Sequence, residues 1–185
     1  MTARSLGFDR PQEPVTSVQL SRGKAESHLL FELTLLMQDL GRLATDLLLF
    51  YTQEFSYVEL PDAFTTGSSI MPQKRNPDVF ELIRARSATA LACLTEALTI
   101  CTKLPSGYQR DLQLLKFPLF RGIDIAGQTL EIAAAALDAV KFRPDRICLD
   151  PAVHAAEEAY ALVAKEGISF REAYRRVAAR YARKG

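Results

Sequence analysis

At 185 residues the chain is long enough to bury one full-sized core with a small appendage, and its 48% hydrophobic content excludes a disordered chain. A formal net charge of +1, with no basic stripe, excludes bulk electrostatic attraction to nucleic acid. No apolar run reaches the length of a bilayer, and the two histidines, His28 and His154, are too few for a histidine-rich metal site.

The opening stretch carries Arg4, Asp9 and Arg10 without an apolar segment, so it predicts no secretory signal. Gly7, Pro11 and Pro14 break residues 1–22 into an irregular lead-in. A long helix is predicted over Ala25–Phe55, roughly 45 Å at about 1.5 Å per residue. Its seam is Leu29, Leu33, Leu36, Leu40, Leu43, Leu47 and Phe50, with a second row of Leu30, Met37, Ala44, Leu48 and Tyr51 beside it. Two such rows predict a wide buried surface. Pro61, Gly67, Pro72 and Pro77 then impose a polar loop over Glu59–Pro77.

A second helix is predicted from Asn76 to Lys103, with Asn76 as N-cap, Pro77 first and Asp78 facing the positive helix end. Phe80, Ile83, Ala90, Leu94, Leu98 and Cys101 form its inward face. After a Leu104–Gly107 turn, Asp111–Lys141 repeats the rhythm through Leu112, Leu115, Leu119, Ile123, Ala126, Leu130, Ala133, Leu137 and Val140. Pro118 must kink this segment or mark its restart. The four alanines 133–136 allow close helix approach. Pro144 and Pro151 stop it, and two short helices, Ala152–Glu166 and Ser169–Arg183, follow. The fold class is all-α: three long antiparallel helices over residues 23–142, then a small helical domain over 143–185. Cys93, Cys101 and Cys148 lack metal spacing, which predicts reduced thiols in a cytoplasmic protein.

Chemistry concentrates in the loop 65–77, Thr-Thr-Gly-Ser-Ser-Ile-Met-Pro-Gln-Lys-Arg-Asn-Pro. Gly67 permits a tight bend, Ser68 and Ser69 offer hydroxyls, Lys74 a point charge, and Asn76 amide donors unless capping occupies them. Lys74, Arg75, Arg84 and Arg86 fall close together in sequence, as a pocket for a small anion requires. The plain alternative is a polar connector that caps a helix, with Arg84 and Arg86 on a solvated face.

The run Gly67–Pro77 resembles the Gly-Ser-Ser-x-Met-Pro-x-Lys-x-Asn-Pro signature of the fumarase/aspartase superfamily. Asp78, Glu81 and Arg84 after it make the resemblance strongest to the argininosuccinate lyase family. Leu104–Gln113 is similar to that family's Leu-Pro-x-x-Tyr-x-(Lys/Arg)-Asp-Leu-Gln segment. Leu6–Asp9 and Phe170–Tyr174 also look family-like.

The resemblance implies elimination of fumarate and arginine from argininosuccinate, without metal or organic cofactor. Ser68 matches the proton abstractor, and Glu81 the carboxylate that orients a catalytic histidine. Ser69, Lys74, Asn76, Tyr108, Gln113 and Lys116 match substrate-binding positions. It also implies a homotetramer through the long helices, with sites assembled from several subunits. The sequence departs from the family at three places. Its Thr-His-x-Gln histidine is not among these residues, Ser21-Arg22-Gly23-Lys24 stands for Ser-(Asp/Glu)-Arg-Asp, and Leu114-Leu115 replaces an acidic pair. The chain therefore reads as a C-terminal portion that needs a separate N-terminal half. Two other readings stay open: a non-catalytic helical oligomerisation module or truncated paralogue, and a sister lyase acting on adenylosuccinate or aspartate.

Overall fold

The structure, a computed structural model, describes residues 2–182. The ends of the expected segments at Met1, Arg183 and Gly185 lie outside the described residues. The chain divides into two compact units, Met1–Arg143 and Pro144–Gly185.

In the first unit, residues expected to be irregular hold two short helices, α1 (Thr2–Ser5) and α2 (Val15–Ser21). Pro14 sits at the N-cap of α2, where its missing N–H costs nothing. The long helix α3 covers Lys24–Tyr51. Gly23 precedes it at φ 87°, a conformation that disfavours side chains, and its N–H donates to Glu26 Oε2 at 2.9 Å. A side chain at Gly23 would also meet Cys101 Sγ, 2.2 Å from where its Cβ would stand. The helix stops before the expected Phe55. Thr52 caps it, with Oγ1 donating to Leu49 O at 2.8 Å, and Tyr57 N–H closes the turn onto Phe50 O at 2.9 Å.

Two more long helices follow, α4 (Asp78–Cys101) and α5 (Lys116–Ala139). Pro118 marks a restart: a tight helical turn over Arg110–Leu115 leads in, and Pro118 falls in the first turn of α5, where N–H groups lack helical partners anyway. Consecutive helices run antiparallel, and three clusters stack along them. Ala44, Leu47, Phe80, Ile83, Ala133 and Ala136 pack at one end. Met37, Ala90 and Ala126 fill the middle. Leu30, Cys93, Leu94, Ala97, Leu112 and Leu115 close the other end.

The buried faces follow the expected second row on α3 (Leu30, Met37, Ala44) and most of the expected inward face of α4 (Phe80, Ile83, Ala90, Leu94), while part of the leucine seam read in the sequence stays exposed. On α3 the buried row is Ser27, Leu30, Thr34, Met37, Gly41, Ala44 and Leu47. Leu29, Leu36 and Leu43 of the expected seam remain 38–44% exposed. On α4, Cys93 and Ala97 are buried while Leu98 is exposed. On α5, Gly122, Ala126, Thr129, Ala133 and Ala136 are buried while Ile123, Leu130 and Leu137 stay exposed. The reason is backbone separation. Small residues let helices approach closely, so they occupy the centre of the contact and the leucines flank it. Gly41 abuts Ser87, and Gly122 abuts Leu30 and Cys93. Thr34 joins the same seam by donating to Leu30 O at 2.7 Å.

Residues between α3 and α4 hold three two-residue strands, and a fourth follows α5. β1 (Val58–Glu59) pairs antiparallel with β4 (Lys141–Phe142), and β2 (Thr66–Gly67) pairs with β3 (Arg75–Asn76). Val58 is buried in the end cluster, so β1 anchors the loop to the bundle.

In the second unit a tight turn, Pro151–His154, leads into α6 (Ala155–Glu166), which α7 (Phe170–Tyr181) follows. Gly167 at φ 67° ends α6, and Ser169 caps α7 by accepting from Glu172 N–H at 3.3 Å. Ala159, Ala173 and Val177 form its core. Tyr181 donates to Glu158 Oε1 at 2.6 Å, and this bond holds the phenol protonated above its usual range. The bond therefore contributes fully below a pH of about 10 and is lost as pH rises through the raised value. Cys93 is buried, Cys101 half-buried and Cys148 exposed, all as free thiols. No described helix is long and apolar enough to cross a membrane.

One substitution made at two positions tests the close-packing account. At Gly127 an added Cβ meets nothing within 4 Å, whereas at Gly122 it would lie 2.4 Å from Leu30 Cδ2. Leu30 is only 1% exposed and has no room to swing away. Gly127→Ala should stabilise by about 0.5–1 kcal/mol through helix propensity. Gly122→Ala should destabilise by about 1–2 kcal/mol through overpacking. Urea denaturation measures both, and equal stabilisation would contradict the seam.

Candidate functional site

The 65–77 loop is a hairpin pinned at its base. Thr66 pairs with Asn76 and Gly67 with Arg75. Thr66 Oγ1 donates to the Asp78 carboxylate, tying the first strand to the start of α4. Arg75 spans both oxygens of Asp62, with Nε to Oδ1 and Nη2 to Oδ2 each at 3.2 Å. Tyr51 Oη donates to Arg75 O at 3.4 Å, linking the hairpin to the end of α3.

At the hairpin tip, Ser68 Oγ accepts two backbone N–H groups, from Ile70 at 3.2 Å and from Met71 at 3.1 Å. Lys74 N–H then returns to Met71 O at 3.0 Å. Asn76 does not cap α4, contrary to the sequence expectation. Pro77 takes the N-cap place at φ −82°, ψ 55°, because Asn76 is held extended by its pairing with Thr66. The Asn76 amide is thereby released from capping.

Lys74, Asn76 and Glu81 line one open depression of about 700 Å³, with Tyr51, Met71, Gln73 and Arg75. Burial raises the Tyr51 phenol above its ordinary range, Arg75 opposes this, and Asp62 adds to it. Tyr51 is therefore a neutral hydrogen-bond donor at this wall. Ser68 and Ser69 stand on the tip and do not line the depression. Glu81 lies in the first turn of α4, exposed. His28 sits near the opposite end of α3, exposed, and His154 pairs with Glu157 at 3.2 Å in the second unit. Within the first unit, His28 therefore does not stand beside Glu81.

Tyr108 and Gln113 meet at the far end of the bundle, on the segment between α4 and α5, and Lys116 follows at the start of α5. Gln113 Nε2 donates to Tyr108 Oη at 3.5 Å. The Arg22 guanidinium lies over the Tyr108 ring, 5.6 Å from its centroid. Lys116 opens α5 and is exposed. The two clusters are separated by the length of α4, whose 24 residues span about 36 Å. One chain does not bring them together. The four cations grouped in sequence are likewise dispersed. Lys74 and Arg75 line the loop depression, and Arg84 lines a separate one with Arg42. Arg86 donates to Gln128 Oε1 at 3.3 Å. Among the described residues no cluster of His, Cys, Asp or Glu is placed to hold a metal ion.

Sequence reasoning missed the Arg75–Asp62 clamp, the Tyr51 tie and the Arg22–Tyr108 stack. The first two have a local signal, since Asp62 and Arg75 flank the loop they close. The third joins residues brought together only by the helix packing, so no local pattern carries it.

A family model described as Lyase matches residues 3–91. The argininosuccinate lyase of Xylella fastidiosa strain Temecula1 is 45% identical over 96% of this chain, and that of Sorangium cellulosum strain So ce56 is 45% identical over 97%. The chain is thus similar to these lyases along nearly all of its length. It spans 40% and 42% of the lengths of those two relatives. The solved fumarate lyase:delta crystallin of Brucella melitensis matches with a TM-score of 0.71 over 98% of this chain and 41% of that one. At 18% identity this likeness shows the fold alone, a long-helix bundle. The lyase matches reach nearly all of the chain, so they embrace both the hairpin and the Tyr108 block.

The two bonds at Ser68 give a direct test of the tip. Ser68→Ala should leave helix content unchanged but speed amide exchange at Ile70 and Met71 about tenfold, since each loses its acceptor. Exchange followed residue by residue by NMR checks it. Unchanged rates at both amides would show that the hydroxyl does not organise the tip.

Proposed function

We propose that this chain supplies the loop wall and the Tyr108 wall of an argininosuccinate lyase site, which eliminates arginine from argininosuccinate to leave fumarate. The observation that carries this reading is the convergence of Lys74, Asn76 and Glu81 on one depression, lined also by Met71 of the hairpin, whose N–H donates to Ser68 Oγ. A base takes the proton from the carbon beside a substrate carboxylate, and its electron pair spreads onto that carboxylate. The pair then forms the carbon–carbon double bond as the carbon–nitrogen bond breaks, and the departing nitrogen of arginine accepts a proton.

Ser68 is the proposed base. A serine hydroxyl is ordinarily a poor one, but the two N–H groups aimed at Oγ favour its anionic form. Lys74 and Asn76 hold the carboxylate where negative charge develops, and Ser69 offers a further hydroxyl from the tip. Glu81 orients a histidine that other polypeptide provides. Tyr108, Gln113 and Lys116 contact the amino-acid portion of the substrate. Because these lie about 36 Å from the hairpin along α4, they serve the site of another copy. The exposed Leu29, Leu36 and Leu43 face supports association into a homotetramer through the long helices. The free, partly exposed thiols suit a cytoplasmic setting. No cofactor enters this scheme. The Tyr108–Lys116 block favours argininosuccinate over adenylosuccinate or aspartate.

Assay of fumarate by ultraviolet absorbance tests the proposal. The purified chain alone should release none, whereas a mixture with a polypeptide carrying the Thr-His-x-Gln segment should be active. Ser68→Ala should lower the activity of that mixture by about 10²–10⁴-fold. An inactive wild-type mixture would favour the non-catalytic oligomerisation reading, which the exposed leucine face also supports.

A further inference from the structure

We propose that Arg22 is a positioning residue for substrate, acting through the ring of Tyr108. The inference rests on the reading of Tyr108 and Gln113 as substrate contacts. Tyr108 is 58% exposed, so neighbouring packing alone does not fix its ring. Two contacts do. Gln113 Nε2 meets its hydroxyl at 3.5 Å, and the Arg22 guanidinium covers one ring face at 5.6 Å from the centroid. A cation over a phenol face is attracted by the ring quadrupole, and the flat guanidinium also blocks that side from solvent.

Arg22 is itself held by backbone geometry. It forms the C-cap of α2, its N–H donates to Gln19 O at 3.3 Å, and Gly23 turns the chain sharply into α3 directly after it. The α2–α3 corner thus delivers the guanidinium to Tyr108. The consequence for chemistry is a paired donor and acceptor. With Gln113 donating to the phenol oxygen, the Tyr108 O–H remains available to donate, and Gln113 Oε1 remains available to accept. These two groups, side by side, match the carboxylate and ammonium of an amino-acid headgroup. Without Arg22, Tyr108 would sample other rotamers, and substrate binding would bear the cost of ordering it. Position 22 lies in the Ser21–Lys24 stretch, where the sequence departs from the lyase pattern, so this device belongs to this chain's own residues.

The test uses the chain mixed with the histidine-bearing polypeptide, with argininosuccinate as substrate. Arg22→Ala should raise KM about three- to tenfold with kcat within about twofold, since the lost interaction acts on binding. Arg22→Lys, which retains a cation, should recover part of the loss. In a Tyr108→Ala background, Arg22→Ala should add little further change, because its partner is gone. A purely structural role would instead lower the melting temperature and move kcat without rescue by lysine. Should the alanine variant melt early, Arg22→Gln keeps a polar chain without charge and should show the same rise in KM. An unchanged KM in an active mixture overturns the Arg22 inference and leaves the proposed function standing. A wild-type mixture without activity overturns the proposed function, and this inference falls with it.

Discussion

Close approach of three helices along small side chains is the contact on which the rest of this structure depends. Gly41 lies against Ser87, Gly122 against Leu30 and Cys93, and Ala126, Ala133 and Ala136 continue the same seam. These residues contribute little apolar area each. Their effect is to bring backbones near enough for Phe80, Met37 and Leu30 to be enclosed almost completely. The enclosed seam makes α4 a rigid strut. Its N-terminal end carries the hairpin and the depression lined by Lys74, Asn76 and Glu81. Its C-terminal end leads to the Tyr108–Gln113 pair.

Rigidity at the strut is matched by local ties at each end. The hairpin cannot rely on burial, because most of its side chains are exposed. It is held by the Arg75–Asp62 clamp, by Thr66 on Asp78 and by Tyr51 on the Arg75 carbonyl. Exposed ion pairs of this kind are individually weak, and their value lies in fixing the register of a short loop. Ser68 then organises the tip from within, by taking two backbone N–H groups that would otherwise point to solvent. Such a tip is well suited to a residue that must carry negative charge briefly.

Much of this was legible in the sequence, and the failures share one cause. Three long helices, their antiparallel order and the restart at Pro118 follow from periodicity and proline chemistry. The 65–77 loop was legible as a distinctive run, because its residue types are hard to account for as a connector. The buried faces were read in part: Leu30, Met37, Ala44, Phe80, Ile83, Ala90, Leu94, Ala126 and Ala133 are buried as expected, but hydrophobic periodicity registers apolar volume and overlooked the Gly, Ser and Thr at the centre of the helix contacts. Leu29, Leu36 and Leu43 follow a heptad and yet stay exposed in this chain. Asn76 was misread as a cap because local propensity favours it, while pairing with Thr66 across the hairpin overrides that propensity. The Arg22–Tyr108 stack required the α2–α3 corner and the end of α4 to meet in space, which no window of sequence reports.

The central claim is that the hairpin cluster and the Tyr108 cluster serve different sites when they belong to one chain. The separation of about 36 Å along α4 supports this proposal. The most direct measurement mixes two inactive variants, Ser68→Ala and Lys116→Ala, after joint unfolding and refolding with the histidine-bearing polypeptide. If sites draw their two walls from different copies, mixed assemblies contain some sites with both residues intact, and lyase activity returns well above either variant alone. If both walls of every site came from one chain, no mixture would contain an intact site, and activity would stay at the level of the separate variants.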